Sequence, residues 1–356
     1  MARSESAPFD LPMLPVQTPC SMDSLMPWLV KSRSELGELK GYSSVFSRKN
    51  ELIHSFYLID AVDSLALDGV LSTKSSVLES QLLNESEQAS ENKQALQIRK
   101  ALIWGKEQIT KGSINDANLK DLQTIVSGKK TEEFRSKASV LTKNVSTMPL
   151  NQFSDPKKIK ELIENLLQFI KQEDSSFDPL VRAIMATAQF EAIRPFEDFS
   201  GRTARAFFQL LLMQTGLAKD PLLLYSQHIR KNTEAYARLF QEAVVNGNWC
   251  AYIKFMLHGI ALQARETKEK LSGIESLYFQ SLETIKHKCP QIYTPELVDA
   301  LFLLPVISPL RLSSKLNIHY TTATRYLKKL EQEGFLENRQ SGKYQLYSYK
   351  TLVQLL

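Results

Sequence analysis

The sequence predicts a mainly α-helical protein with little β-structure. In the clearest helix, apolar residues recur at the spacing of a single helix face, at Ile159, Leu162, Ile163, Leu166, Leu167 and Ile170. Two further apolar segments of helical character flank a short polar turn at residues 194–200. From residue 294 onward, three shorter helical patterns precede a stretch in which apolar and polar residues alternate.

Length and composition describe an ordinary globular protein. The 356 residues are enough for a sizeable core and two or three domains, with 43% apolar and 23% charged residues. A net charge of +5 indicates little about nucleic acid. Cys20, Cys250 and Cys289 lie far apart, so we expect thiols in a reducing compartment. No apolar run is long enough to cross a bilayer and no signal-peptide core is present. We therefore expect a cytoplasmic protein without a membrane partner.

Helical periodicity and turn residues predict the order of the elements along the body of the chain. Residues 1–20 should form an extended arm, 79–93 an exposed loop, and 128–149 a loop with a short hairpin. We expect a separate helical connector at 272–288. The remaining predicted helices cover residues 22–40, 49–66, 93–108, 116–126, 159–170, 178–191, 201–215, 232–245 and 248–268.

The C-terminal region has the element order of a winged helix-turn-helix. Helices are predicted at 294–303, 309–316 and 321–333, followed by a hairpin around Ser341–Gly342. In a DNA-binding domain, Arg325, Lys328 and Arg339 would contact phosphates. The residues that would face the bases are Tyr320, Thr321, Thr322 and Thr324. Because basic residues only modestly outnumber acidic ones here, a packing or dimerisation role stays open, as does a homodimer.

The polar turn and the helix after it have the chemistry of a polyanion site. Gly201, Arg202 and Arg205 fall at the start of the predicted helix, where free N–H groups, the helix dipole and guanidinium forks favour phosphate. Asp198 just before them could hold Mg²⁺. Two plainer interpretations stay open: the arginines could form ion pairs on a helix face, and Asp198 could cap the helix.

The segment QFEAIRPFEDFSGRTARAFF, residues 189–208, resembles the signature of the Fic family of protein adenylyltransferases. The family motif is His-x-Phe-x-Asp/Glu-Gly-Asn-Gly-Arg-x-x-Arg. Here Arg194 stands at the position of His, Phe199 at that of Gly, and Ser200 at that of Asn. The likeness extends over about residues 11–356, with an opening typical of the subgroup that ends in a winged helix.

That subgroup carries an inhibitory Ser/Thr-x-x-x-Glu-Gly/Asn motif on an N-terminal helix. The segment Ser64 to Gly69 resembles it, with Asp68 in place of Glu. The resemblance implies that Asp68 pairs with Arg205 and displaces the γ-phosphate of ATP, although the segment could also be a plain helix end before a glycine. Residues 133–135 and a hairpin at 139–148 resemble the family's flap, on which a target protein would dock.

The resemblance also implies roles for the motif residues. Asp198 would approach Mg²⁺, and the turn with Ser200 and Gly201 would face the phosphates of ATP. Arg202 and Arg205 would contact the β and γ groups. Arg194 cannot replace the catalytic His, because a guanidinium stays protonated and a general base must titrate near the working pH. Arg194 could be a relic, a built-in cation in the phosphate site, or a contact for an anionic partner.

Phe199 falls where the family's Gly-Asn-Gly turn forms an amide nest and where the backbone could need a positive φ, which suits Phe badly. His228, near the motif in sequence, is expected to be a packed or surface residue rather than a substitute base.

We predict four regions: an N-terminal helical region with the inhibitory-like motif at 1–110, a Fic core at 111–270, a connector at 271–290 and the winged helix at 291–356. The expected function is that of a Fic-type adenylyltransferase impaired by the loss of the catalytic His. Three alternatives stay open: a pseudoenzyme that binds a nucleotide or a protein, transfer with another base, and a DNA-binding regulator. ATP and Mg²⁺ are expected if the nucleotide site is retained.

Overall fold

The computed structural model describes residues 11–16, 20–46, 49–136, 155–172 and 177–356. This part of the chain is mainly helical, as the sequence predicts. The helices of the body are α1 (Met22–Val45), α2 (Lys49–Leu67), α3 (Lys74–Ser80), α4 (Ser90–Lys111), α5 (Asp116–Ser127), α6 (Pro156–Lys171), α7 (Pro179–Ile193), α8 (Ser200–Gln214), α9 (Tyr225–Lys231), α10 (Thr233–Asn246) and α11 (Trp249–Lys288).

The C-terminal elements follow the predicted order of three helices and a hairpin. They are α12 (Pro295–Leu303), β1 (Val306–Ile307), α13 (Pro309–Leu316), α14 (Tyr320–Gln332), β2 (Glu337–Ser341), β3 (Tyr344–Ser348) and α15 (Lys350–Leu355). Strand β3 is central in an antiparallel sheet of order β1-β3-β2, with Arg339 opposite Leu346. Gly342 closes the hairpin with a φ of 57°, in the left-handed region that glycine adopts readily.

Several predicted boundaries are wrong. Helix α1 passes through Gly41 and ends only at Val45. The predicted loop at 79–93 is shorter, because a 3₁₀ turn at Glu85–Glu87 precedes α4, which begins at Ser90. Helices α3, α9 and α15 and strand β1 were not predicted.

Helix α11 is one continuous element of 40 residues, and no break separates a body helix from a connector. Its buried side continues through the expected break with Leu271, Ile274, Tyr278 and Ile285, at the spacing of a helix face. Beyond the break, the hydroxyl of Tyr278 donates to Oδ1 of Asp299 at 2.9 Å. The helix therefore contributes to both the body and the C-terminal region.

The N-terminal arm lies on the body over its described residues 11–16. The backbone N–H of Leu14 donates to Oδ1 of Asn165 at 2.8 Å, and Nε2 of Gln189 on α7 donates to the carbonyl of Pro12 at 2.7 Å. Shortly after the arm, Cys20 is joined to Cys250 of α11 by a disulfide. The expectation of free thiols is therefore wrong for these two residues, whereas Cys289 is a buried free thiol.

The C-terminal hairpin contacts the segment that follows α2. Nη1 of Arg339 lies 3.3 Å from Oε1 of Glu79, and Nζ of Lys343 lies 3.0 Å from Oε1 of Glu87. These ion pairs join β2 and the hairpin turn to the last turn of α3 and to the 3₁₀ turn before α4. Across the described ranges, no helix is both long and apolar enough to cross a membrane.

Candidate functional site

The turn between α7 and α8 begins and ends with residues in the left-handed region. Arg194 follows the last residue of α7 with φ 45°, and Phe199 precedes α8 with φ 59°. Pro195 after Arg194 cannot donate a backbone hydrogen bond, so it helps to end the helix. Ser200 begins α8, and its Oγ donates to the carbonyl of Phe196 at 3.0 Å. The backbone thus has a positive φ where the sequence places Phe.

Phe196 anchors the turn in the core. Its ring lies 5.7 Å from that of Phe134 and 6.2 Å from that of Phe190, between centroids. Arg135 secures the same turn, because its Nε donates to the carbonyl of Arg194 at 2.6 Å and its N–H to the carbonyl of Pro195 at 2.9 Å. The segment after α5 therefore fixes the position from which α8 starts.

The two motif arginines on α8 converge on one carboxylate at the end of α2. Nε of Arg202 lies 2.5 Å from Oδ2 of Asp68, and Nη2 of Arg205 lies 3.1 Å from Oδ1 of the same residue. The predicted pairing of Asp68 with Arg205 is present, and Asp68 also binds Arg202. Asp68 therefore occupies both guanidinium groups that the resemblance assigns to phosphate.

Further bonds hold the arginines in place. Arg205 donates from Nε to Oγ of Ser64 at 2.7 Å and from Nη2 to the carbonyl of Ser64 at 2.9 Å. Arg202 donates from Nη1 to Oε1 of Gln94 on α4 at 2.5 Å. Helix α2 ends directly before Asp68, and Gly69 has a φ of 77°. The Ser64–Gly69 segment is thus both a helix end and a contact to the arginines.

Burial sets the electrostatics of this cluster. The side chains of Arg202 and Arg205 are each 4% exposed, and that of Asp68 is 19% exposed. Burial lowers the pKa of Arg202, with the charge of Asp68 acting in the opposite direction. Burial acts the same way on Arg205, but Asp68 and Glu191 outweigh it and leave its pKa raised. Both groups stay cationic. The plainer interpretation, in which the two arginines form ion pairs on a helix face, is realised in their bonds to Asp68, although this face of α8 is buried.

Phe199 and Gly201, at the start of α8, pack against the cluster of Asp68, Arg202 and Arg205. The ring centroid of Phe199 lies 4.7 Å from Cζ of Arg202, a cation–π contact. A Cβ on Gly201 would lie 3.1 Å from Nη1 of Arg205 and 3.7 Å from Oδ1 of Asp68. The absence of a side chain at position 201 is therefore what lets Arg205 and Asp68 approach the start of α8.

Arg194 is a third cation at the edge of the site. Its side chain is partly buried, and burial lowers its pKa, while the charges of Glu191 and Asp68 act to raise it. Glu191, which sequence reasoning missed, is a buried carboxyl that accepts a hydrogen bond from the hydroxyl of Tyr236 at 2.7 Å. Burial raises its pKa, against the influence of Arg205. The signal available in the sequence was a carboxyl one turn before Arg194 in a mostly apolar helix.

Asp198 lines a cavity of about 390 Å³ together with Gln123, residues 127 and 129–136, and residues 196, 197 and 199. Arg202 and Arg205 are not among the residues that line it. The side chain of Asp198 is exposed, and its carbonyl accepts from Nε2 of Gln123 at 2.8 Å. The residue before α8 is Phe199, so the alternative in which Asp198 caps the helix is not realised. Among the described residues, no cluster of three or more His, Cys, Asp or Glu could hold a metal. An exposed carboxylate nevertheless fits a Mg²⁺ ion that takes its other ligands from phosphate and water.

Other predicted site residues lie elsewhere. His228 is buried, with its ring centroid 4.6 Å from that of Phe255 and its ring against Gly259, as expected of a packed histidine. The DNA-binding candidates Thr321, Thr322, Arg325 and Lys328 lie on α14, whereas Arg339 lies on β2. The predicted flap at 139–148 falls outside the described residues.

Comparison with known proteins identifies two parts of the chain. Residues 113–212 match the Fic/DOC family, and residues 277–352 match the C-terminal domain of SoFic-like protein adenylyltransferases. A Fic family protein from Desulfovibrio desulfuricans G20 shares the fold at 18% identity and a TM-score of 0.55, over 93% of this chain and 98% of that one. A Fic domain containing signaling protein from Bacteroides thetaiotaomicron VPI-5482 aligns at 15% identity and a TM-score of 0.50, over 70% of this chain and 97% of that one.

The chain therefore carries a Fic domain built around the turn between α7 and α8. The domain that follows is of the SoFic-like type, so the chain is of the protein adenylyltransferase-like kind.

Proposed function

We propose that this protein binds a nucleoside triphosphate at the start of α8 but does not transfer adenylyl groups by the base mechanism of its family. The observation that carries the proposal is Arg194, which follows the last residue of α7 where the resemblance places the catalytic His. Its guanidinium stays protonated at any working pH, so it cannot take a proton from an attacking hydroxyl.

The same substitution strengthens the site for anions. Arg194 adds a cation to the pair formed by Arg202 and Arg205, and these three cations outnumber the two carboxyl groups that act on them, Asp68 and Glu191. The N-terminus of α8 adds the positive end of a helix dipole. Triphosphate oxygens in place of the Asp68 carboxylate would meet the same guanidinium groups. Asp198 would hold the Mg²⁺ that bound ATP brings, and this ion would neutralise phosphate charge.

Two side chains oppose nucleotide binding in the arrangement described above. Asp68 must leave Arg202 and Arg205, and the Phe199 ring must leave the face of Arg202. Since the ligand must first replace a buried ion pair, wild-type affinity should be weak. Removal of the Asp68 carboxylate should expose the phosphate site.

Calorimetric titration tests the binding part of this proposal. Wild-type protein, Asp68→Ala and Asp68→Glu would each be titrated with ATP and with ADP, in the presence and absence of Mg²⁺. We expect Asp68→Ala to bind ATP at least about tenfold more tightly than wild type and than Asp68→Glu, because only Ala frees both arginines. Absence of binding by a folded Asp68→Ala protein would contradict the proposal.

The catalytic part needs a separate experiment. Arg194→His, Phe199→Gly and Ser200→Asn would be combined in the Asp68→Ala background, with Arg194→Gln in place of Arg194→His as the matched control. Adenylyl adducts on the protein itself would be measured by intact mass after incubation with ATP and Mg²⁺. We expect adducts only with His at position 194, and equal adduct levels in the wild type would refute the loss of transfer.

A further inference from the structure

One face of α14 forms a polar groove far from the Fic motif in sequence. Thr321, Thr324, Arg325 and Lys328 recur at helical spacing and line a groove of about 620 Å³. The opposite wall is the turn that follows α11, at residues 291–292. Thr321, Arg325 and Lys328 are exposed, so this face of the helix is open to a ligand.

The charges around this groove are predominantly positive. Lys329 pairs with Glu333 at 2.5 Å, whereas no ion pair to Arg325 or Lys328 occurs among the residues that the structure describes. Exposed basic residues at 286–288 end α11 beside the turn that forms the far wall. A groove with cations and hydroxyl groups on its walls has the chemistry of a phosphate-backbone contact.

The hairpin β2–β3 offers no comparable surface, because its cations are already engaged. Arg339 pairs with Glu79 and Lys343 with Glu87, although the two basic side chains are 71% and 65% exposed. Hydrogen bonds from Tyr344 and Lys343 lower the pKa of Glu87, so this carboxylate is an anion near neutral pH. The hairpin therefore faces the N-terminal region of its own chain.

We propose that the α14 face, formed by Thr321, Thr324, Arg325 and Lys328, binds the backbone of double-stranded DNA. Arg325 and Lys328 contact phosphates, and the hairpin takes no part while Arg339 and Lys343 hold Glu79 and Glu87. This assignment replaces the sequence-based expectation that Arg339 contacts phosphate. It goes beyond the proposed function and does not depend on it, since the residues lie outside the Fic domain.

Fluorescence anisotropy with a labelled mixed-sequence duplex of about 20 base pairs tests this surface, using the full chain. The variants are Arg325→Ala/Lys328→Ala and Arg339→Ala/Lys343→Ala, which remove the same net charge from α14 and from the hairpin. We expect the α14 variant to bind at least about thirtyfold more weakly at 50 mM salt. The slope of log K against log salt should fall by about 2, since two phosphate contacts are lost. The hairpin variant should bind within twofold of wild type.

Three outcomes would overturn the proposal: no binding by wild type at 50 mM salt, equal losses in both variants, or a greater loss in the hairpin variant. Circular dichroism melting would establish that each variant is folded. If the alanine pair on α14 lost structure, Arg325→Gln/Lys328→Gln would keep the side-chain volume and remove only the charge. For this glutamine variant we expect the same loss of DNA binding, and the same three outcomes would overturn the proposal.

Discussion

Asp68 and Arg205 are joined by an ion pair of 3.1 Å across 137 residues of sequence, between the end of α2 and the first turns of α8. The pair is nearly withdrawn from water, with Arg205 4% exposed and Asp68 19% exposed. The end of α2 is thus part of the proposed phosphate site. A change at Asp68 must affect stability and ligand binding together.

Loss of the Asp68 carboxylate should destabilise the protein. Asp68→Ala leaves Arg205 buried without its carboxylate, and breaking one side of a buried pair costs about 3 kcal/mol. Asp68→Glu keeps the charge and should cost about 1 kcal/mol or less. Urea unfolding would measure both, and saturating ATP should recover part of the loss in Asp68→Ala only. A loss in Asp68→Ala no greater than in Asp68→Glu would show that the ion pair contributes little.

The positive φ of Phe199 predicts different stabilities for two small substitutions at this position. Both Phe199→Ala and Phe199→Gly remove the ring from Arg202, so both lose the cation–π contact and its packing. Position 199 keeps its left-handed conformation in both variants, and glycine adopts it without the steric cost of about 1 kcal/mol that a residue with a Cβ incurs. We therefore expect Phe199→Gly to be more stable than Phe199→Ala by about that amount in urea unfolding. Equal stabilities would mean that the turn relaxes in the variants.

Gly201 should not tolerate the substitution that ordinarily stabilises a helix. Alanine in place of a helical glycine gains about 0.5–1 kcal/mol. At Gly201 the new methyl group would lie 3.1 Å from Nη1 of Arg205, a side chain that Ser64 and Asp68 hold in place. Gly37 on α1 is the matched control, because its Cβ would meet nothing within 4 Å. In thermal unfolding, Gly37→Ala should gain stability and Gly201→Ala should not. Equal gains would indicate that Arg205 moves freely.

Asp60 on α2 should make stability depend on pH. Its carboxylate accepts from the N–H of Ser226 at 2.8 Å and from Oγ of Ser226 at 3.0 Å. Burial raises its pKa from 3.8 to about 7, with Asp63 adding to the rise and Ser226 and Arg205 opposing it. Between these values the folded state keeps a proton that the unfolded state has lost. Stability should therefore fall by about 4 kcal/mol as the pH rises through this window and then level off.

The variant Asp60→Asn isolates this effect. The amide can accept from the N–H of Ser226 and donate to its Oγ, so both contacts are kept without a titrating group. Free energies of unfolding would be measured from pH 4 to pH 8 for both proteins. The wild type should lose free energy of unfolding relative to Asp60→Asn as the pH rises through this window, so that the variant is favoured at high pH. Parallel curves would show that Asp60 does not titrate there.

The sequence predicted best those features that are encoded locally. The apolar stripe from Ile159 to Ile170 falls inside α6, and the arginine-bearing helix begins at Ser200, one residue before its predicted start. The positive φ at Phe199 was anticipated from the motif, because a family glycine marks that position. The pairing of Asp68 with Arg205 was predicted from the resemblance to the Fic family, because no local sequence pattern indicates it.

Features that depend on packing between distant elements could not be predicted from the sequence. The bonds from Arg202 to Gln94 and Asp68 join residues more than 100 positions apart, and only the folded arrangement of α2, α4 and α8 brings them together. Pairing of Cys20 with Cys250 was missed for the same reason. The missed helices α3 and α9 have seven residues each and α15 has six, too few for a helical period to stand out.

Helix α11 fixes the rotation of the C-terminal domain relative to the Fic domain. Its 40 residues span about 60 Å, and it enters the C-terminal domain without a flexible joint. The rotation of α14 about this axis is therefore determined by the number of residues in the helix. One inserted residue near position 270 would turn the C-terminal domain by about 100° and advance it by about 1.5 Å. Such a change would carry Arg339 and Lys343 away from Glu79 and Glu87 while leaving each domain's own sequence intact.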